Sequence, residues 1–279
     1  MFILYNFQDI IKKFIDKQLL WVYYKSVITQ FICPLEVVIP LYGNRQNLRA
    51  FLFIKEFLQM IRIAILVDGG FYRKRANRLF GKKSPEERAA ELDNYCKKHL
   101  SEKNYDTYLY RVFYYDCPPS DKNVYHPLLQ RNVNMKKSEL YEWMNTFLSI
   151  LKSKRKFALR LGRLSDNDVG YTLRPEAIKS LFSGKIDLKN ITENDFKLDI
   201  KQKTMDMKLG TDIASISLKK QVDRIILIAG DSDFVPAAKL SRREGIDFIL
   251  DPMGQNINPD LNEHIDGIRS KINYFIPKK

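Results

Sequence analysis

Two carboxylates, Asp231 and Asp233, stand two positions apart in "IILIAGDSDF", directly after an apolar run. Acids in such a place can hold a hard dication or work as a nucleophile and general-acid pair. The same setting recurs along the chain: "RIAILVD" ends in Asp68, "YDTYLYRVFYYD" in Asp116 and "IDFILD" in Asp251. Aspartate is a good turn and N-cap residue, which accounts for any one of these and is sufficient for Asp251. It accounts less well for the set, because open parallel sheets bind ligands beyond the carboxyl ends of their strands.

The segment "TMDMKLGTDIASISLKK" adds Asp206 and Asp212. As a helix it carries an apolar stripe of Leu209, Ile213 and Ile216, with each acid about 60° from Leu209 on opposite flanks. Asp206 falls in the first turn, near the strand ends; Asp212 lies about 9 Å further along the axis. Asp206 is therefore favoured for a shared site, and Asp212 is either a further ligand or an acid behind it. Several carboxylates at one sheet edge repel one another and would take up protons. Mg²⁺ or Mn²⁺ removes the conflict, favours oxygen ligands, and can activate water and stabilise the leaving oxygen of a phosphodiester.

Cations surround these acids. Arg73, Lys74, Arg75 and Arg78 follow Asp68; Lys239, Arg242 and Arg243 follow Asp233; "KSKRKFALRLGRL" is densely basic. Each cluster alone reads as a solvated face. Around an acidic pocket they suit a polyanionic backbone, and a formal net charge of +14 in 279 residues points the same way. Tyr72, Phe113, Tyr114 and Tyr115 could stack bases, but core packing is the simpler role. Three unpaired-looking cysteines and three scattered histidines give neither a disulfide framework nor a soft-ligand metal array. The thiols read as reduced, in a cytoplasmic protein.

Strand patterns at "RIAILVD", "YDTYLYRVFYYD", "RIILIAGD" and "IDFILD" alternate with helical stretches over about 85–100, 138–152, 204–220 and 234–244. Gly245 closes the last. The pattern predicts an α/β fold with a mostly parallel sheet. Between about 117 and 201 it loosens, which reads as an inserted subdomain. Residues 1–59 differ in character: aromatic and aliphatic without a clean period. The domain proper is expected to open at Met60, with 1–59 an extension or an over-long gene start. Leu19–Tyr42 is interrupted by Lys25, Pro34, Glu36 and Pro40, so a membrane span is not expected there.

Taken in order, "ILVDGGFY", "QKTMDMKLGTDIA" and "ILIAGDSDFVPAAKLSRREG" resemble the NYN domain family, the LabA-like branch of the PIN-like nucleases, with the likeness running from Met60 to the C-terminus. The resemblance implies a three-layer α/β/α fold and metal-dependent cleavage of RNA. It assigns Asp68, Asp206, Asp231 and Asp233 as catalytic and metal-binding, with Asp212 also among the ligands. From their positions and charge, Asp116 and Ser232 are expected to support these acids, and Arg73, Lys74, Arg78, Lys239, Arg242 and Arg243 are expected to contact RNA. Mg²⁺ or Mn²⁺ is the expected cofactor, with no small-molecule organic cofactor, and a homo-oligomer stays open. Many family members carry asparagine three residues after the first aspartate; here that position is Phe71.

Two rivals stand beside this reading. A non-catalytic RNA- or protein-binding module could keep the same fold. A haloacid-dehalogenase-type phosphatase also uses an Asp-x-Asp pair, but on its first core strand, whereas "DSDF" comes late. A dinucleotide-binding enzyme is disfavoured because "VDGGFYRKR" lacks the GxGxxG turn.

Overall fold

The long aliphatic run "IRIAILVD" forms β1 (Ile61–Asp68), with Ile63–Val67 fully buried, as a strand covered on both faces must be. The structure is a computed structural model, and it describes residues 60–101 and 106–275. The expectations for residues 1–59, the 19–42 stretch among them, lie outside the described residues.

After β1 come α1 (Gly69–Phe80), α2 (Pro85–His99), β2 (Thr107–Asp116), β3 (Asn123–His126), β4 (Arg131–Asn134) and α3 (Glu139–Ser153). These lead to β5 (Phe157–Leu161), β6 (Arg163–Leu173), α4 (Pro175–Phe182), β7 (Phe196–Lys203) and α5 (Met205–Leu218). The chain then forms β8 (Arg224–Ile228), α6 (Val235–Arg243), β9 (Asp247–Asp251), α7 (Pro259–Glu263) and β10 (Gly267–Ile268).

Six strands form one sheet in the order β10-β9-β8-β1-β2-β5, every pair parallel. Strand alternation sorts the core into two layers. Ala64 and Leu66 of β1, with Ile225 and Leu227 of β8, pack with α5, α6 and α7 through Leu209, Ile213, Ala238 and Leu261. Ile63, Ile65 and Val67, with Ile226 and Ile228, pack with α1, α2 and α3 through Tyr72, Leu92 and Phe147. The result is the expected α/β/α sandwich.

Local chemistry sets the helix boundaries. Ser84 and Glu87 make a reciprocal capping box ahead of Pro85, and Ser138 accepts from the Tyr141 N–H to start α3. Gly245, at φ 75°, ends α6 in a conformation that a side chain would resist. The span 117–201 departs from a simple insertion. Helix α3 joins the core, and β5 pairs in parallel with β2 as the sheet's outer strand. What stands apart is the hairpin β3–β4, and β6–β7 with α4 between them. No helix among the described residues is long and apolar enough to cross a membrane.

Candidate active site

β1 lies at the centre of the strand order, with β2 on one side and β8 on the other. Connections leave in opposite directions there, and open parallel sheets bind ligands beyond the carboxyl ends of the strands at such a point. Val67 is in register with Ile228, so Asp68 stands level with Ala229, two residues before Asp231. Asp68 caps α1, its Oδ1 accepting from the Phe71 N–H at 3.0 Å. That bond offsets two glycines at the head of "GGFYRKRANRLF", which the sequence alone did not declare a helix.

The second acid pair sits on a short arc. β8 stops at Ile228, and the chain runs through Ala229 and Gly230 into a 3₁₀ turn, Ser232–Phe234. Ala229 and Phe234 are buried, so the exposed Asp231 and Asp233 are pinned from both ends. The Asp233 N–H donates to Asp231 Oδ1 at 3.2 Å, which fixes the turn. Gly230 is required by packing: a Cβ there would come within 2.4 Å of the Phe71 ring. Phe71 therefore fills the space above Gly230. Gly69 is required likewise, since a Cβ would lie 2.5 Å from Asp116 Oδ2 and from the Tyr114 ring.

Asp206 enters from the first turn of α5. Electrostatics link it to the other acids. Burial pushes the Asp68 carboxyl up; the Phe71 N–H opposes this, the charge of Asp206 raises it again, and the Gly70 N–H and Arg73 lower it. Partial desolvation, then the charges of Asp231 and Asp233, push Asp206 up. The Asp68–Asp206 repulsion falls on Asp68, the more enclosed of the two and the harder to keep ionised. Four acids from three chain segments thus share one field.

Other acids have separate tasks. Asp116 is buried and faces the α1 layer with Tyr114, opposite in parity to Asp68. It pairs with Arg73 and accepts from Tyr114 Oη at 3.0 Å and the Cys117 N–H at 2.8 Å. Asp212 accepts from Arg160 Nε at 2.7 Å and Tyr115 Oη at 2.8 Å, and its charge is met there. Asp251 is buried and accepts from Tyr95, Ser270 and the Met253 N–H, with His99 Nε2 at 2.9 Å. Its turn-and-packing role agrees with the simplest reading of the sequence.

The cations divide in the same way. Arg73 turns inward to Asp116 and Tyr114, and Arg242 bonds Asp266 Oδ1 at 2.8 Å and the Glu263 carbonyl at 3.0 Å. Lys74, Arg78, Lys239 and Arg243 are exposed. Tyr72, Phe113, Tyr114 and Tyr115 are core residues. Sequence reasoning noted Phe71 only for the asparagine it replaces and Arg160 only as part of a basic run; their contacts with Gly230 and Asp212 were not foreseen. The alternation in "FYYD" was the available signal that Asp116 faces the α1 layer, where it lies against Gly69, the residue after Asp68.

Residues 165–260 match the NYN domain family model. This is a family of PIN-like nucleases. The NYN segment carries Asp206, Asp212, Asp231 and Asp233; Asp68 lies outside it and reaches the site through the β1–β8 pairing. The six-stranded parallel sheet with helices on both faces agrees with a PIN-like fold. No curated protein matches the chain. Among the described residues, no group of three or more His, Cys, Asp or Glu is gathered closely enough to hold a metal ion.

Proposed function

We propose that the chain is a metal-dependent ribonuclease that hydrolyses RNA phosphodiester bonds at Asp68, Asp206, Asp231 and Asp233. The observation that supports this reading is the pairing of β1 with β8, which sets Asp68 beside the pinned pair Asp231 and Asp233, with the charge of Asp206 acting on Asp68. The donor set is carboxylate oxygen alone, which fits Mg²⁺ or Mn²⁺ and not a soft metal. When bound, such an ion neutralises the acids and stabilises charge developing on the phosphodiester oxygens.

The protein's own residues do the rest. Asp68 offers a carboxylate from an enclosed cap position, and the pinned arc Ala229–Phe234 presents Asp231 and Asp233 together. Asp206, exposed in the first turn of α5, adds a carboxylate from a third chain segment. Lys74, Arg78, Lys239 and Arg243 hold the RNA backbone.

A second reading, an RNA-binding module without turnover, is favoured by the lack of a gathered three-ligand group among the described residues. Labelled single-stranded RNA with purified protein separates the two. Cleavage in Mn²⁺, its loss in EDTA, and a drop of about 100-fold or more in Asp231→Asn support the nuclease. Binding without cleavage supports the module, and cleavage indifferent to EDTA rejects the metal-dependent mechanism.

A further inference from the structure

Beside the acids, and lined by Arg73 but by none of the four aspartates, lies a cavity of about 160 Å³. The chain just past β2 (Cys117, Pro119), the first turns of α3 (Tyr141, Met144), β7 (Ile200) and Arg73 line it. β7 belongs to the part of the chain that stands apart from the main sheet, so this cavity is made where that part meets the nuclease-like core.

Three observations identify its occupant. The first is size and character. Its walls are mostly apolar, and an apolar cavity of roughly 150 Å³ is enough to take one aromatic ring such as benzene. That is room for a single planar heterocycle and too little for a drug-sized ligand. Tyr141 and the flat guanidinium of Arg73 are the side chains that stack on such rings. Arg73 is held in place by Asp116 while its side chain keeps 21% exposure.

The second is position. Asp68 is in register with Tyr115, and Cys117 is two residues further on the neighbouring strand. Strand spacing and rise put those backbones about 8 Å apart, and Arg73 acts electrostatically on Asp68 while lining the cavity. A strand whose phosphate lies at the acids can therefore deliver an adjacent base. The third is charge. Lys136 and Lys137 are exposed between the lining residues Met135 and Ser138, where a phosphate backbone would leave the cavity.

We propose that this cavity is a nucleobase subsite, which takes one unstacked base of single-stranded RNA next to the bond at the acids and sets base preference there. The proposal rests on the ribonuclease reading for its substrate, yet it is tested without turnover.

The experiment measures binding of the full chain, in EDTA, to a short single-stranded RNA and to copies with an abasic residue at each position in turn. One position should stand out, its abasic copy binding about tenfold more weakly, as loss of a single stacked base does. Ile200→Trp, which fills the cavity, should erase that difference and leave affinity for the abasic copy as in wild type. Tyr141→Ala, which removes the aromatic wall, should at least halve it, and serves if Ile200→Trp does not fold. Equal losses at every position, or a position effect that survives in the folded variants, overturns the subsite. The two readings fail separately. A position effect without cleavage in Mn²⁺ keeps the subsite and removes the nuclease. Cleavage without a position effect does the reverse.

Discussion

Asp68 has two roles, as the cap of α1 and as a charge in the acid set, and substitution separates them. Asparagine caps as well as aspartate does. Asp68→Asn should keep the fold and lower RNA cleavage about 100-fold, whereas Asp68→Ala should in addition lose about 1 kcal/mol of stability in denaturant unfolding. The raised carboxyls of Asp68 and Asp206 also set a pH dependence. Between the unfolded value, near 3.8, and the higher folded value, the native state holds more protons than the unfolded chain. Metal-free stability should therefore fall as pH rises through that window and level off above it. Asp206→Asn should flatten this slope and raise the neutral-pH midpoint in EDTA only slightly, because solvent screens this exposed carboxylate. At this scale the acids were legible, because a carboxylate after an aliphatic run stands out in sequence. Their partners were not: nothing in the spacing ties Asp212 to Arg160 across 52 positions, or Asp251 to His99 across 152.

The arc between β8 and α6 depends on a close contact that only the fold creates, the Phe71 ring against Gly230. Gly230→Ala should cost about 1–3 kcal/mol through overpacking. Trimming the ring in Gly230→Ala/Phe71→Ala should recover part of that loss relative to the sum of the single changes, in a double-mutant cycle of urea unfolding. Elements with long periodic runs were readable, α2 and α3 with clear caps and α5 by its apolar stripe without a side-chain cap. The start of α1 was obscured by its two glycines, whose weak helix propensity is offset by the Asp68 cap. β5 was obscured by its basic setting: "KFALRL" reads as surface, and as the outer strand of the sheet it is only partly buried.

Across the whole molecule, the four acids lie within a chain of net charge +14. The exposed cations of α1 and α6 should act on RNA of any sequence. Reversing Lys239 and Arg243 to Glu should weaken RNA binding uniformly and lower the slope of log affinity against log salt by about 1.4 or more, at roughly 0.7 per lost single-strand phosphate contact. The layered α/β class followed from strands alternating with helices. The strand order did not, since no local pattern says that β8 lies beside β1 and not beside β2, and that pairing is what joins Asp68 to the acids of the NYN segment. Metal-dependent cleavage therefore requires that acids from separate segments serve one ion. Calorimetric titration of Mn²⁺ into the metal-free protein tests this directly, with Asp68→Asn and Asp231→Asn measured alongside. Tight Mn²⁺ binding in the wild type, lost by at least tenfold in each variant, is the predicted result; wild-type Mn²⁺ affinity in both folded variants would contradict it.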